Sequence, residues 1–283
     1  MRPTAKSVVL DLLSTAKRGV VPVRALVAGA ELFGIDDNRL RVALARLVAR
    51  GLVARDERGE YRLAAAATAV QEQVSSWRRI EQRMRPWRGG WIAVHAAGLG
   101  RNRRILRRRT RALAYLGFRE LAPGLHVRPD NLAGGLAGVR ERLRALSLDA
   151  EALVFALGDI DEPTAGRARR LWDGAALVRR YRALRATLEA SARRLPRLDL
   201  RAARAESFLL GGEAIRQLAL DPLLPEPIVP GAERRALVEA MLRYDRLGRA
   251  CWSGALMARG GAPARAPAHL RALAIPLAEV SHG

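Results

Sequence analysis

The sequence predicts an α+β protein: an N-terminal winged helix-turn-helix, a central ferredoxin-like βαββαβ module and a C-terminal helical domain. Three observations lead there. The first 63 residues carry three helical stretches and then two short strand-like runs around a glycine. Residues 91–157 interleave apolar runs of strand length with helical periodicity. Beyond residue 160 the pattern is helical. The expected parts are residues 1–64, a linker helix over 65–86, the central module over 87–160, the helical domain over 161–258 and a poorly ordered tail over 259–283.

Bulk composition supports a folded, multi-core chain. It has 283 residues, 49% of them hydrophobic, and domains commonly take about 100–200 residues. The formal net charge is +22, an excess that favours nucleic acid, anionic surfaces or acidic ligands. Only Lys6 and Lys17 among the 50 basic residues are lysine. Arginine with abundant Ala, Gly and Leu is also what a GC-rich genome produces, so part of the charge carries no function. The single cysteine, Cys251, excludes a disulfide framework or a cysteine-based zinc site within one chain. No apolar run approaches the roughly 18 residues of a membrane span, and Asp11 interrupts the N-terminal apolar stretch, so no signal peptide is expected. These features predict a cytoplasmic protein.

Each N-terminal element has a local cause. Thr4 caps a first helix with Val8, Val9, Leu12 and Leu13 at helical spacing. Pro22 precedes a second, carrying Leu26, Val27, Ala30 and Phe33, and Gly34 turns the chain. Asp36 caps a third helix and Asp37 suits the positive end of its dipole. Gly51 ends it. Leu52–Arg55 and Glu60–Leu63 then form a hairpin around Gly59. Leu40, Leu44, Leu47 and Val48 are expected to face the core. That leaves Asn38, Val42, Ala45 and Ala49 outward, flanked by Arg39, Arg41, Arg46 and Arg50. A helix with a small exposed centre and cationic flanks suits a major groove, with Arg46 placed for a bidentate contact to guanine. Arg58 at the hairpin tip is placed for a minor groove or backbone contact.

The central pattern reads as strand (91–96), helix (101–116), hairpin strands (117–121 and 125–128), helix capped by Asn131 (132–146) and strand (152–157). Ile105, Leu106, Leu113 and Leu116 are expected to face inward. Arg101, Arg103, Arg104, Arg107, Arg108, Arg109 and Arg111 form the densest basic run in the chain. It has three readings: a phosphate-contacting surface, a site for ligand phosphates, or a solvated helix. Helices are expected over 164–195, 202–218 and 232–256, with Gly211-Gly212 a candidate kink.

Trp87-Arg88-Gly89-Gly90-Trp91, Leu116-Gly117-Phe118 and Leu121 through Pro129 resemble the phenylacetic-acid-catabolon repressor family, the PaaX-like regulators. Leu171-Trp172-Asp173 with Tyr181-Arg182, and Asp221-Pro222-Leu223-Leu224-Pro225, are similar to its later motifs, and Arg41 through Leu47 to its recognition helix. The resemblance runs over about residues 4–250. It implies a dimeric repressor that binds double-stranded operator DNA and responds to acyl- or aryl-coenzyme A thioesters. On that implication Trp87, Trp91, Trp172 and Tyr181 are expected as pocket walls, and Arg107, Arg108, Arg182 and Arg216 as polar contacts for the effector. The chain departs from the family at His126, at Gly211 through Arg216, and after Pro230, where a tryptophan is expected.

The family's central module is similar to that of a CRISPR-associated endonuclease, whose metal chemistry needs a carboxylate at the end of the first strand. Here that strand ends in His95-Ala96-Ala97-Gly98. The four histidines (His95, His126, His269, His282) have no metal-ligand spacing. Asp159 and Asp161 read as a turn that caps the next helix. No catalytic residue, metal or cofactor is therefore expected. The expectation is a homodimeric repressor, held together largely by residues beyond about 160. The rival is an architectural nucleic-acid binder without an effector.

Overall fold

The computed structural model describes residues 3–15, 20–56, 59–64, 76–99 and 102–253. The chain is α+β, with two antiparallel sheets among the described residues. It divides into two compact units. One contains residues 1–78, 183–219 and 236–283; the other contains 79–182 and 220–235. These units cut across the expected sequence ranges, because residues from the C-terminal helices pack with the N-terminal elements.

In the first unit the order is α1 (Ala5–Thr15), β1 (Val20–Pro22), α2 (Val23–Glu31), α3 (Asp37–Ala49), β2 (Val53–Arg55) and β3 (Glu60–Leu63). The sheet order is β1-β3-β2. β1 was not expected. Its Val20 and Val21 are β-branched and pair with Arg62 and Tyr61, but three residues are too few for alternation to register. Leu10, Leu26, Leu40, Leu44 and Leu52 are all but fully buried. Phe208 and Trp252 join the same core. Phe208 lies on α8 (Leu200–Ala219) and Trp252 on α9 (Gly231–Ser253). Phe33 packs on Phe208 at 4.4 Å, and Phe208 on Trp252 at 6.4 Å. The Arg201 guanidinium donates to the Glu31 carbonyl at the end of α2, 3.2 Å away. Gly211 and Gly212, a candidate kink in the sequence, are buried inside an unbroken helix.

The second unit runs β4 (Trp91–His95), α4 (Arg103–Tyr115), β5 (Arg119–Ala122), β6 (Leu125–Pro129), α5 (Gly135–Ala145), β7 (Leu153–Leu157) and α6 (Glu162–Arg169). Its sheet order is β5-β6-β4-β7. Three expectations are corrected here. α5 begins at Gly135, not Leu132, because its N-cap Gly134 and its first residue Gly135 hold positive φ. Asn131 is not its cap. Its amide instead accepts from Arg128 at 3.0 Å and donates to the Leu223 carbonyl at 2.6 Å. The single helix expected over 164–195 is broken into α6 and α7 (Gly174–Arg194). Gly174 marks the break, where a Cβ would come within 2.3 Å of the Ile228 carbonyl oxygen. Ser76–Arg83 is 3-10 helical on either side of a kink at Arg79, whose backbone is not helical; the rest of the expected linker helix before Ser76, and the expected tail, lie outside the described residues.

The family-like motifs meet in one buried cluster of this unit. Trp87 lies edge-on to Trp91 at 5.3 Å, and Trp91 stacks on Trp172 at 6.2 Å. The Trp172 indole donates to the Gly117 carbonyl at 3.1 Å. Tyr181 donates to Asp221 at 2.5 Å, and Asp221 accepts the Leu223 amide at 2.8 Å. Arg128 is 1% exposed. It donates to the carbonyls of Leu116, Pro129 (3.1 Å) and Pro222 (3.5 Å), besides Asn131. Gly117 sits at φ +75°, and a Cβ there would meet Pro222 at 2.8 Å. So a glycine, a tryptophan and the Asp-Pro-Leu-Leu-Pro segment hold each other in register.

Removing Arg128 would leave several buried acceptors without a donor, each worth about 1–3 kcal/mol. Arg128→Met is expected to lower stability by about 3 kcal/mol or more in urea unfolding, whereas Arg119→Met, on the exposed hairpin, stays within about 0.5 kcal/mol. Equal effects would show that the Arg128 bonds do not hold this cluster.

Candidate nucleic-acid interface

α3 is fixed at both ends by its own sequence. At the start, the Asp36 carboxylate accepts the Arg39 amide at 2.8 Å. At the end, Gly51 takes φ +64°. Its amide donates to the Val48 carbonyl at 2.9 Å and the Leu52 amide to the Leu47 carbonyl at 3.0 Å, the Schellman pattern. Gly34, at φ +71°, closes the end of α2 in the same way: the Ile35 amide donates to the Ala30 carbonyl at 3.2 Å.

Between these caps, Leu40, Leu44 and Leu47 are buried. Val48, expected to be a fourth inward residue, is 39% exposed. It falls about 100° beyond Leu47 around the helix, outside the stripe set by i, i+4 and i+7. Asn38, Arg39, Arg41, Val42, Ala45, Arg46, Ala49 and Arg50 are all exposed. Arg58 lies outside the described residues.

The four arginines are not equivalent. Arg39 pairs with Asp36 at 3.3 Å and Arg41 with Asp37 at 2.9 Å. The hydrogen bond to Asp37, then its charge, raises the Arg41 pKa above the usual guanidinium value. Among the described residues no carboxylate pairs with Arg46 or Arg50. The helix therefore offers two uncompensated cations in its C-terminal half and two compensated ones at its start. Beside it, Arg55 and Arg62 are exposed on β2 and β3, and Arg55 lies over the Tyr61 ring at 5.8 Å.

The residues expected to hold an effector are placed differently. Trp91, Trp172 and Tyr181 are at most 6% exposed and belong to the buried cluster. Their polar atoms are already engaged for Trp172 and Tyr181, and the Trp87 indole donates to the Gly90 carbonyl at 2.6 Å. Burial, reinforced by Asp221, pushes the Tyr181 hydroxyl pKa up. Arg182 pairs with Glu233 at 2.7 Å. Arg216 belongs to the first unit and the other candidates to the second. A cavity of about 330 Å³ in the second unit is lined by other residues, among them Arg140, Arg144, Asp149 and Val154. Sequence periodicity had no means of separating an aromatic core wall from a ligand wall. It also missed Arg109, a member of the basic run that turns inward to Asp149 at 2.7 Å, while Leu106, expected inside, is 39% exposed. Among the described residues no group of three or more His, Cys, Asp and Glu could hold a metal. None of the described helices is long and apolar enough to cross a membrane.

A substitution series on α3 follows from the ion pairs. Arg46→Ala is expected to cost about 1–3 kcal/mol of binding to a cognate duplex and to relax preference at one base pair, and Asn38→Ala to reduce discrimination. Arg39→Ala should cost less, since that guanidinium is shared with its own Asp36. Competition binding against random duplex measures this. Equal losses on cognate and random DNA for Arg46 and Asn38 would make them phosphate contacts.

The chain is similar to known proteins on two counts. One solved structure, described as an uncharacterized protein, Rv0674, from Mycobacterium tuberculosis, matches with a TM-score of 0.58 and 27% identity, over 88% of this chain and 98% of that one. No curated protein matches. Residues 4–67, which hold α1 to α3 and the three-stranded sheet, match PaaX, the PaaX-like protein family.

Proposed function

We propose that this chain is a DNA-binding transcriptional repressor. Its winged helix-turn-helix reads a palindromic operator as a homodimer, and an acyl- or aryl-coenzyme A releases it. One observation carries the reading: α3 is rotated so that its leucines are inward and a small uncharged centre faces out, with Arg46 and Arg50 uncompensated beside it. Thirteen residues make a rod about 20 Å long, and a major groove about 12 Å wide accepts such a helix. The antiparallel sheet that follows, with Arg55 and Arg62 exposed, supports the wing. The strand order β5-β6-β4-β7 with two crossover helices supports a ferredoxin-like centre. The PaaX-like family is regulatory and not enzymatic, which supports a regulator.

Release needs an effector that prefers one state of the dimer over the other. Phe208 and Trp252 share a core with α1–α3, so a shift of α8 or α9 is felt at the turn between α2 and α3. That coupling supports a helical part that senses and a reading head that responds. The coenzyme A class rests on the family motifs, with Arg182 as the proposed polar contact in the second unit. Two-fold symmetry of a homodimer would match two half-sites a whole number of helical turns apart. The net charge of +22 favours a second reading, an architectural binder without an effector.

Binding to the DNA flanking its own gene, against random duplex at rising salt, separates the two. A preference that persists supports the repressor; equal affinity and equal salt dependence supports the architectural binder. Sedimentation at micromolar concentration is expected to give a dimer, and a monomer that binds without cooperativity would contradict it. In calorimetry, phenylacetyl-coenzyme A or a short acyl-coenzyme A is expected to bind and to release the operator. A response to the free acids alone would overturn the thioester assignment. Release that survives in an Arg182→Ala variant would overturn the proposed contact.

A further inference from the structure

The outward face of α4 carries Arg103, Arg104 and Arg107 exposed and Arg108 half-buried, and the helix contains no acidic residue. Arg103 and Arg107 are one turn apart, as are Arg104 and Arg108, so they form two adjacent rows. Arg111, also exposed, continues the first row. The helix start is fixed by Asn102, whose side chain accepts the Arg104 amide at 2.9 Å. The one arginine of the run that turns inward, Arg109, is matched by Asp149.

What sets this face apart is the density of arginines on a helix that carries no acidic residue. Elsewhere some exposed arginines are met by acids, Arg179 by Asp173, Arg182 by Glu233 and Arg194 by Glu206, and others, such as Arg180, Arg193 and Arg197, are not met by one among the described residues. Among the described residues no carboxylate pairs with Arg103, Arg104, Arg107 or Arg108. α3 shows the same lack of compensation at Arg46 and Arg50, where DNA is proposed to bind.

We infer that the Arg103–Arg108 face of α4 is a second, sequence-independent contact for the phosphate backbone of duplex DNA. The inference rests on the DNA-binding reading of α3. From Arg103 to Arg111 the rows rise about 12 Å, which spans three to four phosphates of one strand at about 3.4 Å each. Guanidinium forks match phosphate oxygens in pairs. A small anionic ligand would need a concave site, and this face is the outside of a helix. Arg107 and Arg108 are thereby moved from an effector site to the nucleic acid. Leu106, exposed among them, is too small an apolar area to anchor the helix in a lipid surface.

The test compares three full-length proteins: the unaltered chain, a variant with Arg103, Arg104, Arg107 and Arg108 changed to Gln, and a control with Arg179, Arg180, Arg193 and Arg197 changed to Gln. Both variants lose the same charge, and thermal unfolding checks that both remain folded. Affinity for operator-containing and random duplex is measured against salt. Each lost phosphate contact lowers the slope of log affinity against log salt by about 0.9. The α4 variant is expected to lose about 2–4 in slope on both duplexes while keeping the preference between them, with the control close to the unaltered chain. Equal slopes in all three proteins, or equal losses in the two variants, would overturn the inference. Binding of anionic vesicles but not duplex by the α4 face would also overturn it. If the unaltered chain binds no duplex at all, both the inference and the reading of α3 fall.

Discussion

Leu40, Leu44 and Leu47 are each at most 2% exposed, and that one stripe sets the rotation of α3. Burying each side chain contributes about 1.5–3 kcal/mol, so turning the helix to present a different face is expensive. Everything the first unit offers to a partner follows from this. Asn38, Val42, Ala45 and Ala49 face solvent because the leucines do not, and the arginines fall on the flanks because the heptad leaves them nowhere else. The caps at Asp36 and Gly51 then fix the length over which that face extends. The sheet is tied to the same stripe, since Leu52, which completes the Schellman turn, leads directly into β2.

The second unit depends on a different device. A buried guanidinium without a carboxylate partner in hydrogen-bonding contact is costly unless its donors are filled. Arg128 fills them with carbonyls from Leu116, Pro129 and Pro222 and with the Asn131 side chain. Burial, then the nearby charges of Arg142 and Arg83, pulls its pKa down from the usual value, with Asp130 acting in the opposite sense. Segments far apart in sequence are thereby held together in the fold. Leu116-Gly117, Arg128-Pro129 and Asp221-Pro222 are three sides of one polar cluster, closed by Trp172 and Tyr181. Together they form a packing solution for this unit.

Much of the first unit was legible because its signals are local. The cap at Asp36, the glycines at 34, 51 and 59 and the leucine spacing each act within a few residues. β1 was not legible, because a three-residue strand is fixed by pairing with Tyr61 and Arg62 and not by its own pattern. The outward face of α3 was readable from periodicity, but Val48 sits where a 3.6-residue period drifts away from the stripe. The pairing of Arg41 with Asp37 follows from i, i+4 spacing and gives the flank arginines different roles. In the second unit the misreadings share a cause. Asn131 as a cap and Arg109 as a surface cation were both read locally, while their partners Leu223 and Asp149 lie 40 or more residues away.

The central claim is that α3 reads base sequence and does not merely hold phosphates. Selection of duplexes from a random library by the full chain tests it most directly. An enriched site made of two inverted half-sites, separated by a whole number of helical turns, is the predicted result. Recovered duplexes with no sequence in common beyond the starting library, bound as tightly as the selected ones, would contradict it.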